Sequence, residues 1–178
     1  MYIWFGINID ENISTFKNNF LKIAQNHNAT PQFNFHPPHI SLKITSKIND
    51  EIFEHVVNDC LEYYKTLKPF KVLTDCIEIE NAFMWLRWKE NSNLIQIHNA
   101  LCALMKEKYQ IDLHPFDYEY KFHTTLFVDA EKLSPELVND VFSLKIPSEI
   151  IVNNFFVGFS KDNISENYKI YKSIKLGE

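Results

Sequence analysis

The sequence contains little of several residue types on which common functional sites depend. Only three glycines occur, at positions 6, 158 and 177, so a glycine-rich phosphate-binding loop is excluded. The three cysteines, at positions 60, 76 and 102, include no C-x-x-C pair. An odd number at these spacings predicts neither a disulfide framework nor a cysteine-based zinc site.

Positive charge is also scarce. Lys and Arg total 18 against 23 Asp and Glu, a net charge of −5, and Arg87 is the only arginine. This balance argues against a protein that coats nucleic acid through the phosphate backbone, although a nucleotide site needs only a few local positive groups.

Long apolar runs are missing as well. The apolar N-terminal segment is short and runs into Asp10 and Glu11, which predicts a strand rather than a signal peptide or a membrane span. We therefore expect a cytoplasmic protein without membrane association. Apolar residues make up 46% and aromatic residues 15% of the chain, enough for a sizeable core.

The pattern of apolar residues predicts the element order β-α-β-α-β-β-α-β-α-β-β, an α+β protein with largely antiparallel strands. Residues 150–160 are predicted as one strand and 168–176 as the last. The two halves are weakly similar. Each contains a helix, then a loop rich in proline and aromatic residues, then a strand that begins with histidine.

These two strands share the pattern His-x-[Ser/Thr]-Leu. One begins His39-Ile40-Ser41-Leu42 and the other His123-Thr124-Thr125-Leu126. Residues i and i+2 of a strand point to the same face. His39 therefore projects with Ser41, and His123 with Thr125. If the two strands face each other, two imidazoles and two hydroxyls share one cleft.

Such a group of side chains suits phosphoryl chemistry without a metal. One neutral imidazole can take a proton from the attacking oxygen, and a protonated imidazole can give one to the leaving oxygen. An unperturbed imidazole titrates near pH ~6.5, so both states are accessible near neutrality. The hydroxyls can donate to the non-bridging phosphate oxygens.

Taken alone, a histidine two residues before a serine is more often structural than catalytic. The doubled pattern on two matching strands reverses that preference. Two alternatives stay open. The cleft could hold a nucleotide or an RNA end without efficient turnover, or the chain could be a degenerate interaction protein.

On these two motifs the chain resembles the two-histidine (2H) phosphoesterase superfamily, and within it the 2′-5′ RNA ligase and cyclic phosphodiesterase group. The similarity extends over nearly the whole chain, including Met84-Trp85-Leu86 and the closing segments Val152–Ser160 and Tyr168–Leu176. One departure follows the second motif, where many relatives carry a basic residue and this chain has Phe127-Val128-Asp129.

The resemblance implies one two-lobed domain over residues 1–178, with intertwined halves and motif strands at 39–45 and 122–128. It implies a pseudo-two-fold arrangement of two antiparallel-rich sheets with flanking helices and a catalytic cleft between the lobes. His39 and His123 would be acid and base, and Ser41 and Thr125 would bind phosphate.

The implied activities are opening of 2′,3′-cyclic phosphates and making or breaking of 2′-5′ linkages. The substrate would be an RNA 3′ end or a small cyclic nucleotide. We expect a monomeric hydrolase with no cofactor and no metal.

Further residues are candidates for the cleft. Lys43 lies four residues after His39 and Lys121 two before His123, so either could neutralise phosphate, unless each lies in solvent at a strand end. Arg87 alternates with Trp85 and could pair with phosphate while Trp85 stacks on a base, or both could simply pack at a sheet edge.

Aromatic residues in the loops before the motifs could stack on bases or only cover the core. They are Phe33, Phe35, Phe116, Tyr118 and Tyr120. The spacing of His36 and His39 invites a metal site, but Pro37 and Pro38 exclude the helix that such a pair needs.

Overall fold

The computed structural model describes residues 1–162, 164 and 167–177. The strands are β1 (Tyr2–Asn8), β2 (His39–Ile44), β3 (Phe70–Glu80), β4 (Phe83–Trp88), β5 (His123–Val128), β6 (Glu149–Val152), β7 (Asn154–Ser160) and β8 (Lys169–Lys175). The helices are α1 (Ser14–Asn26), α2 (Phe53–Lys65), α3 (Ser92–Tyr109) and α4 (Pro135–Phe142). No helix in this described part of the chain has the length and apolarity to cross a membrane.

Two four-stranded sheets form the framework, with the orders β2-β1-β7-β8 and β5-β4-β3-β6. Every pairing is antiparallel. We call them the first and the second sheet. Both are built around the same unit: β1-α1-β2-α2 in the first and β4-α3-β5-α4 in the second. The predicted α+β class and the pseudo-two-fold pair of sheets are confirmed.

The unit places each histidine motif on an edge strand. β2 and β5 are the outermost strands of their sheets, and both begin with the motif histidine. The two edge strands contact each other. There the Thr124 hydroxyl donates to the His39 carbonyl at 2.8 Å and accepts from Trp88 Nε1 at 3.0 Å. Thr124, the variable position of the second motif, thus joins the two sheets.

The prediction of one strand over residues 150–160 is wrong. The segment forms two strands separated by Asn153, and they belong to different sheets. β6 pairs with β3, whereas β7 pairs with β1 and β8. Because apolar residues lie on both sides of the Asn153-Asn154 pair, the apolar pattern alone does not show that the chain changes sheets there.

Local capping signals mark both ends of α3 and the start of α4. The Asn91 side chain caps α3 by accepting from the Asn93 and Leu94 amides, and Gln110 ends it in the left-handed region at φ 57°. Ser134 caps α4 ahead of Pro135. The apolar faces of these helices pack into a core that is continuous with both sheets.

Candidate active site

A cavity of about 730 Å³ contains both histidine motifs. Its lining includes His39 and Ser41 from β2, His123 and Thr125 from β5, and the consecutive residues 114–121. We call residues 114–121 the cleft wall. The face-sharing expected from strand alternation therefore brings the two imidazoles and the two hydroxyls to one cavity.

A backbone carbonyl fixes the orientation of each imidazole. His39 Nδ1 lies 2.9 Å from the Pro37 carbonyl, and His123 Nδ1 lies 2.7 Å from the Lys121 carbonyl. A carbonyl only accepts, so each Nδ1 carries the proton. Within the described part of the chain nothing bonds either Nε2, which can therefore exchange a proton in the cavity. The carbonyl comes from the second residue before the histidine in both motifs.

A tryptophan packs against each motif histidine. The Trp4 ring meets His39 edge-on at 4.4 Å between centroids, and its Nε1 donates to the Ser41 hydroxyl at 3.3 Å. The Trp85 ring stacks on His123 at 4.2 Å with an interplanar angle of 21°. One face of the Trp85 ring thus packs on the candidate catalytic residue His123. The sequence predicts for Trp85 only stacking on a base or packing at a sheet edge.

Desolvation favours the uncharged form of both imidazoles. It lowers the pKa of His39 to about 3, with positive charge on His36 and His123 acting in the same direction and the Pro37 carbonyl against it. Desolvation also lowers the pKa of His123 to about 4, with Arg87 acting in the same direction and Glu80 against it. Both pKa values lie well below the unperturbed imidazole pKa of ~6.5, at which one imidazole could be charged near neutral pH without a substrate.

Lys43 lies outside the cavity, unlike the position expected from its spacing to His39. Phe5 pairs with Lys43 and Gly6 with Ser41, so Leu42 is an extra residue, a β-bulge. The bulge reverses the alternation of the strand. Ile44 therefore lines the cavity, and Lys43 is fully buried on the other side.

Lys43 instead anchors the cleft wall from behind. Its ammonium binds the Asp117 carboxylate and donates to the Ile44 carbonyl at 3.1 Å. The two side chains are 0% and 1% exposed. The same carboxylate oxygen accepts the His114 amide at 2.7 Å and so closes the single 3₁₀ turn Pro115–Asp117. A buried ion pair therefore joins β2 to the wall.

Arg87 does not line the cavity either. Its guanidinium lies 5.8 Å from the Trp85 ring centroid and 3.2 Å from a Glu78 carboxylate oxygen. Among the basic candidates of the sequence, Lys121 lines the cavity. The Lys121 ammonium donates to both carboxylate oxygens of Glu80 at 2.6 Å. No motif or spacing in the sequence marked Glu80, which comes from the end of β3.

Three of the five aromatic candidates line the cavity, Phe33 packs against the core, and Phe35 is exposed. The cavity is lined by Phe116, Tyr118 and Tyr120, but not by Phe33 or Phe35. Phe116 and Tyr118 are 66% and 74% exposed, so the cleft wall offers two open rings. Trp4 and Tyr168 also line the cavity although no motif marked them, because strand pairing rather than local sequence brings them to the histidines.

One group among the described residues could hold a metal ion. Ligand atoms of His98, Cys102 and Asp117 lie within 4.8 Å of one another. His98 Nδ1 contacts the Leu42 carbonyl at 2.7 Å, and its ring stacks on Tyr120 at 4.2 Å. Burial and Asp117 raise the pKa of the Cys102 thiol to about 11. The Lys43 ammonium already neutralises Asp117, so this group forms a hydrogen-bonded support behind the wall.

The fold is shared with solved structures of low sequence identity. TT0787 of Thermus thermophilus is 14% identical with a TM-score of 0.68, and the match covers 98% of this chain and 97% of that one. E. coli LigT in complex with NADP+ is 15% identical with a TM-score of 0.62, covering 99% and 97%. The LigT complex with 3′-AMP is 16% identical with a TM-score of 0.59, covering 99% and 98%.

Two sequence comparisons gave different results. No curated protein matches the chain in sequence. The family profile described as the 2′-5′ RNA ligase superfamily matches residues 8–158, which include both histidine motifs and most of the two sheets. The chain therefore belongs to the 2′-5′ RNA ligase superfamily.

Proposed function

We propose that this protein is a metal-independent phosphodiesterase acting on RNA-type 2′,3′-cyclic phosphates or 2′-5′ phosphodiester linkages, with His39 and His123 as general acid and base. One observation carries the proposal: the two motif histidines line one cavity, and each has its Nδ1 held by a carbonyl while no described residue bonds its Nε2. A site that only bound nucleotides would not need two imidazoles held this way.

The lowered pKa values fit the reaction once a substrate is present. Before a substrate binds, both imidazoles are neutral, which is the form required of the base. A bound phosphodiester brings a negative charge beside them and raises their pKa values. One imidazole can then take up a proton and become the acid, while the other remains the base.

The reaction needs no group beyond these side chains and water. The neutral imidazole takes a proton from the attacking water as its oxygen bonds to phosphorus. The phosphorus–oxygen bond to the ribose breaks, and the imidazolium gives its proton to the leaving oxygen. The Ser41 and Thr125 hydroxyls donate to the non-bridging oxygens, where charge increases in the transition state. For Ser41, Trp4 Nε1 supplies the hydroxyl oxygen with a donor, which leaves its proton free for phosphate.

The comparisons support a nucleotide as the substrate class, because E. coli LigT has been solved with 3′-AMP, ATP and NADP+. We propose an RNA 3′ end or a small cyclic nucleotide, with the protein acting as a cytoplasmic monomer.

The deciding experiment measures turnover of nucleoside 2′,3′-cyclic monophosphates and 2′-5′ dinucleotides in excess EDTA. His39→Ala and His123→Ala should each lower kcat by ~10²–10⁴-fold, and the double variant should lose little more because the two residues act as a unit. His55→Ala, in α2 outside the cavity, is the matched control. Full activity of either motif variant, or loss of activity in EDTA, would contradict the mechanism.

A further inference from the structure

Among the described residues, the cavity has no lysine or arginine side chain that is not already paired with a carboxylate. Its charged lining residues are Glu80, Asp117, Glu119 and Lys121. The Glu80 carboxylate holds Lys121, and Lys43 neutralises Asp117. Glu119 remains and is exposed. Apart from its four histidines, the described lining therefore carries a net negative charge.

Its recognition surface is aromatic instead. Phe116 and Tyr118 present open rings on the cleft wall, and Phe83 lines the cavity from β4 with 36% exposure. Aromatic faces stack on any nucleic-acid base and do so independently of the phosphate charge. The cavity volume, about 730 Å³, is in the range of pockets that hold one small ligand.

Taken with the phosphodiesterase function proposed above, on which this step rests, these features define a substrate class. We propose that the cleft selects small nucleotides with a single negative charge over nucleotides or oligonucleotides with several, and that Glu80 determines this specificity by neutralising Lys121. A single phosphodiester can be neutralised by one protonated imidazole. Each further phosphate adds a negative charge that meets no unpaired lysine or arginine among the described lining residues and is repelled by Glu119.

Glu80 is placed to act on the phosphate site. It lies at the end of β3 beside Phe83, and it is close enough to His123 for their charges to interact. Converting Glu80 to glutamine keeps the size of the side chain but removes its charge and releases Lys121 toward the cavity. A residue that was merely structural would not cause a gain of affinity that depends on ligand charge.

The test measures the dissociation constants of three adenine nucleotides of increasing charge: adenosine 3′,5′-cyclic monophosphate, 3′-AMP and ATP. Wild type should bind ATP most weakly. A unit charge about 10 Å away in a wet cleft changes a dissociation constant roughly twofold. ATP carries about three more charges than the cyclic nucleotide, so Glu80→Gln should improve its relative affinity about eightfold.

Two further variants complete the experiment. Lys121→Met should weaken ATP binding relative to the cyclic nucleotide, the opposite direction. Glu62→Gln breaks a similar Glu–Lys pair on the remote surface of α2 and should leave the ratio unchanged. In Glu80→Gln, added salt should weaken ATP binding, whereas binding of the cyclic nucleotide to wild type should hardly respond.

Binding does not require turnover, so the two proposals fail separately. If no nucleotide is hydrolysed but the charge order and the Glu80→Gln gain are observed, the specificity inference stands and the catalytic one falls. Tight ATP binding by wild type, an unchanged ratio in Glu80→Gln, or no binding of any of the three nucleotides would overturn the inference, whatever the activity.

Discussion

The buried ion pair behind the cleft wall gives the sharpest prediction for stability. Replacing Lys43 by Met keeps the apolar stem but leaves the Asp117 carboxylate buried without its counter-charge. Breaking such a pair from one side costs about 3–5 kcal/mol. Against a total stability of about 5–15 kcal/mol, Lys43→Met should fold but be much less stable.

The size of the loss should depend on pH. Without Lys43 the buried Asp117 carboxylate has lost its counter-charge, which costs the folded variant but not the unfolded chain. Protonation removes that uncompensated charge, so the deficit shrinks as the pH falls. Relative to wild type, Lys43→Met should lose more stability at about pH 8 than at about pH 5.

A double variant separates charge from packing. Lys43→Met with Asp117→Asn removes both charges but retains an oxygen that can accept the His114 amide. It should recover most of the loss, to within about 1–2 kcal/mol of wild type. Urea unfolding of wild type, both single variants and the double variant measures these differences. A deficit below about 1 kcal/mol for Lys43→Met, or a double variant as unstable as the single, would refute the reasoning.

Three further predictions concern the histidines and their supports. Because the pKa values of His39 and His123 are lowered to about 3 and 4, the unfolded chain binds protons first on acidification. The free energy of unfolding should therefore fall as the pH drops from about 6.5 to 4, by up to ~1.4 kcal/mol per pH unit for each histidine. In His123→Gln the urea midpoint of unfolding should depend less on pH than in wild type. Thr124→Val removes the hydroxyl between the two edge strands and leaves Trp88 Nε1 without its acceptor; thermal unfolding should show a loss of about 1–3 kcal/mol, and turnover should fall with it. In Gly6→Ala the new Cβ would overlap the buried Phe156 ring, so denaturation should show a cost of about 1–3 kcal/mol, whereas an unchanged midpoint would mean that the ring yields freely.

The motif side chains could be placed from the sequence because strand alternation holds over an unbroken run. His39 with Ser41, and His123 with Thr125, are each two residues apart and reach the same cavity. Lys43 could not be placed in this way, since the single extra residue at Leu42 reverses the alternation between Ser41 and Lys43. No glycine or proline lies within β2, and Gly6, which stands opposite the bulge on β1, meets it only through strand pairing, so the sequence of β2 carries no local signal for it.

The supports of the histidines depend on pairing between distant segments. Trp4 reaches His39 because β1 pairs with β2, and Trp85 reaches His123 because β4 pairs with β5. Asp117 forms its ion pair with Lys43, which lies on a strand more than seventy residues earlier in the chain. Such contacts follow from register and loop path, which the periodicity of one segment does not determine.

The change of sheet at Asn153 has a consequence for synthesis on the ribosome. All strands of the second sheet lie within residues 70–152, so they leave the ribosome as one continuous stretch. The first sheet has only β1 and β2 until β7 and β8 emerge from the end of the chain, and a two-stranded ribbon is barely stable alone. We expect a nascent chain released before residue 154 to protect its second sheet from protease while residues 1–66 remain cleavable. The cavity would then be completed last, when the final two strands dock beside β1.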